Sequence, residues 1–285
     1  MDRPTFVGVD FSVRKHDAGE GMWVARAHQS DDGRLVVTAV ETAADAFDCG
    51  TDRKSTFEAL VQAVADAADA DARTTFGFDV PFGVGTVEGS RSSWVDWIEG
   101  FPASVVEGAD SVDDPEALYR AYKEAGFDTD ADSARVTDER RGGLPPLNWR
   151  MKDLTYRAVE GVLRPIIRSD AATVAPFMEE RPGVPVVVET YPAAVFDTTD
   201  GASRDGYKGV RRRAYEQRRD NVEALADAGV VIDAPDTERR ISCHDDALDA
   251  VAACVGAFRA ARDGFEPGPD AADPETVAVE GYIYA

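Results

Sequence analysis

The chain has 285 residues, is 44% hydrophobic and carries a formal net charge of −23 from 54 acidic against 31 basic residues. That length and apolar content support a sizeable core in one or two domains. No signal peptide or membrane-spanning run is visible, and the three cysteines, Cys49, Cys243 and Cys254, are too scattered for a disulfide framework or a zinc site. The expectation is a cytoplasmic protein with no membrane partner. An acidic, Asp-, Ala- and Val-rich chain with few lysines also fits a halophile-type proteome. Molar salt screens surface charges within ~3 Å, so a nucleic-acid partner would need close contacts or bridging cations.

In chain order, residues 5–12 (TFVGVDFS) come first. Phe6, Val7 and Val9 make a short apolar run that reads as a buried central strand, and Asp10 stands at its C-terminal end, where open α/β sheets bind ligands. Residues 22–27 and 35–40 read as strands joined through the turn residues 30–33, which gives an antiparallel meander. Residues 55–70 place Phe57, Leu60, Val61 and Val64 at helical spacing, with Ser55 and Glu58 as a capping box. Residues 74–80 (TTFGFDV) form a second buried strand ending in Asp79. With a helix between them, this strand should lie parallel to the first and bring Asp79 to the same sheet edge as Asp10.

Residues 85–182 do not continue the alternation and read as a helical insertion within a single domain spanning 1–285. Helical patches fall at 94–98, 115–125 and 151–167. Arg150, Arg157, Arg164 and Arg168 cluster on one side of the last of these, and Pro165 is placed to kink it. Residues 184–192 make a third buried strand ending in Glu189. Residues 201–227 are rich in basic groups, among them Lys208, Arg211, Arg212, Arg213 and Arg218, with Tyr215, Val222 and Leu225 as the core side of a helix. Residues 229–232 are a candidate short strand, 242–262 a long helix, and 282–284 a candidate edge strand.

The long helix carries Asp245, Asp246 and Asp249. The first two suit a helix N-terminus, but Asp249 lies beyond the first turn. Asp246 and Asp249 share a side with the small residues Ala253 and Gly256, so that side can approach something closely. Asp10, Asp79, Glu189, Asp246 and Asp249 therefore form a carboxylate set. Bare carboxylates ~4 Å apart repel by about 4 kcal/mol at an effective dielectric of 20, so their assembly requires a cation or a shared proton. Oxygen-only ligands point to Mg²⁺ or Mn²⁺. Two such ions can activate water and stabilise the leaving oxygen of a phosphodiester. His16 and His244 are candidate proton shuttles.

The order β-β-β-α-β-α-β-α with an Asp-x-x-Asp-Ala motif on a late helix resembles the RNase H-like fold. That fold is a mixed five-stranded sheet with the first strand central, flanked by helices. The stretches VGVD (7–10), FDVPFG (78–83), ETYPAAVF (189–196), YKGVRRR (207–213), HDDALDAVAA (244–253) and the terminal EGYIY resemble the domain-of-unknown-function 429 family of predicted RNase H-like nucleases. The resemblance implies a metal-dependent nuclease with Asp10, Asp79 and Asp246 or Asp249 as ligands. Glu189 would bind a metal or orient water. Arg211–Arg213, Arg218, Lys208 and the Arg150, Arg157 and Arg164 ridge would hold the phosphates of DNA or RNA. The rival expectation is a non-catalytic module that binds nucleic acid or nucleotides on the same fold.

Overall fold

The computed structural model describes residues 3–68, 73–85, 93–106, 109, 112–233 and 235–285. The end of the helix expected over 55–70 and part of the 85–182 segment lie outside the described residues. Seven strands form one sheet: β1 (Thr5–Asp10), β2 (Trp23–Gln29), β3 (Leu35–Thr42), β4 (Thr74–Asp79), β5 (Thr173–Ala175), β6 (Val186–Glu189) and β7 (Val230–Ile232). Their order is β5-β6-β4-β1-β2-β3-β7, so β1 is central. β1 to β3 are the expected antiparallel meander, closed by a turn with Gly33 at φ +83°. β4 returns parallel to β1 after the helix Arg53–Ala68, β6 and β5 continue the parallel side, and β7 adds parallel to β3. This mixed sheet flanked by helices is consistent with an RNase H-like arrangement.

The sheet has two strands more than the five of the resembled fold, of which β7 is the candidate strand read at 229–232. β5 is three residues long and lies within a stretch read as helical, too short to show a period. At the C-terminus a single bridge from Thr190 to Tyr284 replaces the expected edge strand. Among the described residues no helix is long and apolar enough to cross a membrane.

Side chains alternate across a strand, and this alternation sorts the sheet into two cores. Val7, Val9, Phe76 and Phe78 face the Arg53–Ala68 helix and the helical segment 152–169. Phe6 faces the opposite way, onto the helix Asp245–Arg262, where its ring meets Phe258 edge-on at 5.3 Å. This helix is buried on all sides from Ala247 to Ala257, not on one side only. It lies unusually close to the sheet because β1 and β4 present glycines to it. A Cβ on Gly8 would sit 2.1 Å from the Ala250 carbonyl oxygen and 2.2 Å from the Cys254 nitrogen, and one on Gly77 would sit 2.3 Å from the Ala253 carbonyl oxygen. Backbone atoms cannot move aside as a flexible side chain can. Gly8→Ala is therefore expected to cost about 1–3 kcal/mol or more, read as a fall in Tm of roughly 2–10 °C in a thermal melt.

Several helix boundaries differ from the pattern reading. Asp52, not Ser55, caps the Arg53–Ala68 helix, its Oδ1 accepting from the amides of Lys54 and Ser55 at 3.1 and 3.2 Å. A separate helix, Pro235–Cys243, precedes the last long one, whose N-cap is His244, so the helix expected over 242–262 is not one piece. The helix expected over 151–167 runs to Ser169 but widens into a π-helical turn at Val159–Leu163. Pro165 has no N–H to donate into an α-helical ladder, and the wide turn just before it absorbs that break.

Candidate functional site

Asp10 and Asp79 are register partners at the C-terminal ends of the parallel strands β1 and β4. Two positions back on each strand stand Gly8 and Gly77, which touch the Asp245–Arg262 helix, so Asp10 and Asp79 share the face of the sheet that this helix covers. The helix brings its own carboxylate there, since Asp249 is fully buried. The sequence expectation that Asp10, Asp79 and Asp249 meet thus has a simple geometric origin: two adjacent strand ends and a helix seated on glycines.

Their charges act strongly on one another. Burial, then Asp249, Asp79 and Asp246, raise Asp10 well above the usual carboxylate value. Burial and then Asp249 push Asp79 up to about 8, and Asp79 shares a hydrogen bond with Asp10, which requires one of the two to be protonated. Burial raises Asp249 to about 6, against the pull of Lys208 and Tyr207. Asp246, at the half-buried rim, is raised by burial and then by Asp245.

Lys208 is the cation of the cluster. Its ammonium pairs with Oδ2 of Asp249, while the Tyr207 hydroxyl donates to Oδ1 at 2.8 Å. Burial favours the neutral amine, yet Asp249, Asp10 and Asp79 together hold Lys208 above its usual value and keep it charged. Gly209 continues the clasp, its amide donating to Asp245 at 2.9 Å.

Arg218 sets this loop. Its guanidinium is buried and donates to the carbonyls of Tyr207 (2.6 Å), Gly209 (2.9 Å), Ser242 (2.8 Å) and Cys243 (3.4 Å). A guanidinium so engaged is unavailable to a phosphate, so Arg218 leaves the expected substrate set and becomes a positioning residue. Its spacing held a clue: Ala214, Arg218, Asn221 and Leu225 form the buried side of the helix Arg212–Asp227, while Tyr215 is exposed. Arg164 leaves the set for the same reason, being buried with Nε on the Ile98 carbonyl (2.9 Å) and a second nitrogen on that of Phe101. Arg150, Arg211, Arg212 and Arg213 are exposed, Arg212 pairing with Glu216 at 2.7 Å, and Arg157 is half-buried.

Glu189, on the strand next to β4, is near enough that its charge helps raise Asp79, but it faces away from the aspartates. Val186 and Val188 of β6 face the Asp245–Arg262 helix, so Glu189 faces the other way. There both of its oxygens accept from the buried Arg135 at 2.6 Å, and Oε2 also accepts from the Phe82 amide at 2.9 Å. Its carboxylate is spent on a structural ion pair. Tyr207 entered the sequence reading only within the YKGVRRR motif and Arg135 not at all, since their decisive partners, Asp249 and Glu189, are distant in the chain. His16 is exposed, and His244 is exposed but stacks its ring on Trp23 at 5.1 Å.

The residue types at the cluster suit Mg²⁺ or Mn²⁺. Their arrangement is compensated from within, by Lys208 and by the proton between Asp10 and Asp79. Among the described residues no group of three or more His, Cys, Asp or Glu side chains is set to hold a metal ion.

The family described as "Protein of unknown function (DUF429)" matches residues 8–273. The chain belongs to this family. The DUF429 match runs from β1 past the Asp245–Arg262 helix and so takes in every aspartate of the cluster together with Tyr207 and Lys208. No curated protein and no solved structure matches the chain.

Proposed function

We propose that this DUF429 protein is a metal-dependent nuclease of the cytoplasm, hydrolysing phosphodiester bonds at Asp10, Asp79 and Asp249 with Asp246 at the rim. The observation that carries this reading is the convergence of like charges. Three carboxylates from two strand ends and a buried helix sit together with raised proton affinity. Such strained carboxylate groups are characteristic of reactive sites.

Mg²⁺ or Mn²⁺, when bound, would supply an activated water and stabilise the leaving oxygen. Asp10, flanked by Asp79 and Asp249, is the ligand best placed to be shared. Lys208 keeps Asp249 neutralised in the resting cluster. Its side chain is 56% exposed, which gives the ammonium room to turn toward a phosphate. Arg211 and Arg213, exposed just beyond it, would extend that contact along the strand. Arg150 stands beside Trp149, which is 65% exposed, a pairing suited to one phosphate and one stacked base.

The test is incubation of the purified protein with labelled single-stranded, duplex and branched DNA and RNA, with Mg²⁺ or Mn²⁺ and with EDTA. Cleavage that appears only with the metal supports the reading, and intact substrate throughout overturns it. The occupation of both Asp249 oxygens by Tyr207 and Lys208 favours a second reading, a binding module that cuts nothing. Retention of oligonucleotide without product in the same assay would select it.

A further inference from the structure

A cavity of about 470 Å³ opens between the start of the Arg53–Ala68 helix and the π-helical turn Val159–Leu163. That is the size of a small-molecule site. Lys15, Arg53, Lys54 and Arg157 line it, a concentration of positive charge that stands out in a chain of −23. The acids at its edge are already engaged. Asp52 caps the helix and accepts from the Ser55 hydroxyl at 2.6 Å, Glu58 lies 3.7 Å from Lys54, and Glu160 pairs with Arg164 at 2.8 Å. Arg53 spends one nitrogen on the Val13 carbonyl at 2.9 Å. Lys15 and Arg157 have no ion pair among the described residues. Burial and then the charge of Arg157 lower Arg53 from its usual value, opposed in part by Asp153, which is itself paired with Lys152, so the two guanidinium groups feel each other across this space. Cations gathered this way are stabilised by an anion from outside.

The floor of the cavity is apolar, formed by Phe57, Gly161 and Pro165. Gly161 lets the floor close, since a Cβ there would lie 2.5 Å from the Phe57 ring. π-helical turns recur at functional sites, and here the turn brings Arg157 and Gly161 to the same cavity. We propose that this cavity is a nucleoside-phosphate subsite, with Lys15, Arg53 and Arg157 on the phosphate and the Phe57 floor under the base or sugar. Lys15 is five residues beyond Asp10 in the chain, hence at most about 18 Å from it. A strand lying on the carboxylate cluster could therefore place a neighbouring nucleotide here. That case rests on the nuclease reading, whereas a free nucleotide would need no cleavage at all.

The experiment separates the two sources. AMP and inorganic phosphate are titrated into the metal-free protein. A labelled single-stranded oligonucleotide is titrated in Mg²⁺ into an Asp10→Asn background, so that it stays intact. The double substitution Lys15→Gln with Arg157→Gln is compared in each. Binding is expected to weaken about tenfold or more. For the oligonucleotide, the dependence of log K on log salt should become shallower by about 1.4, the share of two phosphate contacts. Lys15→Gln alone, in an exposed loop, should shift binding in the same direction by less, which separates the effect from misfolding. Weakening for the oligonucleotide marks a strand subsite, and weakening for AMP alone marks a free-nucleotide site. Unchanged affinity of the double variant for both, or inorganic phosphate binding as well as AMP, overturns the proposal. The readout is binding, so it stands even if the wild-type protein cleaves nothing.

Discussion

Replacing Arg135 by alanine is expected to lower stability by about 3–5 kcal/mol, with a fall in Tm on the order of 10 °C. The side chain is fully buried and holds two carboxylates at once. Its Nε and Nη2 donate to Asp138 at 2.9 and 2.7 Å, and its two terminal nitrogens donate to Glu189 at 2.6 Å. One of them also reaches the Glu280 carbonyl at 3.4 Å, tying the C-terminal segment to the end of β6. Without the guanidinium, two acids remain buried with no cation against them. Glu189 is already raised by burial, and Arg135 is what opposes that rise. In the variant Glu189 would take up a proton, so the deficit should be larger at pH 7 than at pH 5. Denaturant unfolding of both proteins at the two pH values measures this. A loss under about 1 kcal/mol at pH 7 would mean that the network is dispensable. Replacing Asp138 and Glu189 by leucine alongside Arg135→Met should recover part of the loss, because a buried ion network removed whole leaves no orphaned charge.

This network also marks where sequence reading stops. Asp10 and Asp79 were legible because each ends a short apolar run, and the intervening helix forces the two runs parallel. Asp249 was legible because helical spacing sets it apart from the capping aspartates. Glu189 carries the same strand-end signature and yet faces the other core. Which face a strand end presents depends on register against its neighbour, and β6 has only four residues from which to read that parity. Arg135 has one local partner, Asp138, three positions on, but its link to Glu189 is 54 positions away and that to Glu280 is 145 away, which no local pattern announces. Basic residues read as a phosphate-binding group divided by burial. Arg211 and Arg213 are exposed, while Arg164 and Arg218 serve backbone carbonyls and Lys208 serves Asp249. The charge pattern alone gives the sign of each group but not the direction in which it points.

Asp10→Asn is expected to make the protein inactive and, without metal, more stable at pH 8. In the folded chain Asp10 and Asp79 bind protons more tightly than in the unfolded chain, where both stay near the ordinary aspartate value of 3.8. Their contribution to stability is therefore complete below about pH 4 and is lost as pH rises through about 8, the value to which Asp79 is raised. Wild-type protein in EDTA should lose Tm steadily across that window. An amide at position 10 removes one of the crowded negative charges and can still donate to Asp79. The decline should flatten, with Tm at pH 8 a few degrees above wild type. If the cluster holds Mg²⁺ as proposed, the ion should raise the wild-type Tm by binding the folded state and leave the variant nearly unmoved. On the proposed nuclease mechanism, loss of Asp10 as a metal ligand would remove several kcal/mol of transition-state stabilisation, on the order of a thousandfold in rate. Thermal melts over pH in EDTA and in Mg²⁺, beside the cleavage assay, report both effects on one pair of proteins. A variant that melts below wild type at pH 8 in EDTA would show that the aspartates do not repel one another as the geometry requires. One that still gains stability from Mg²⁺ would remove Asp10 from the cation site. The combination of greater rigidity and lost chemistry is what distinguishes a charge cluster held for function from one held for the fold.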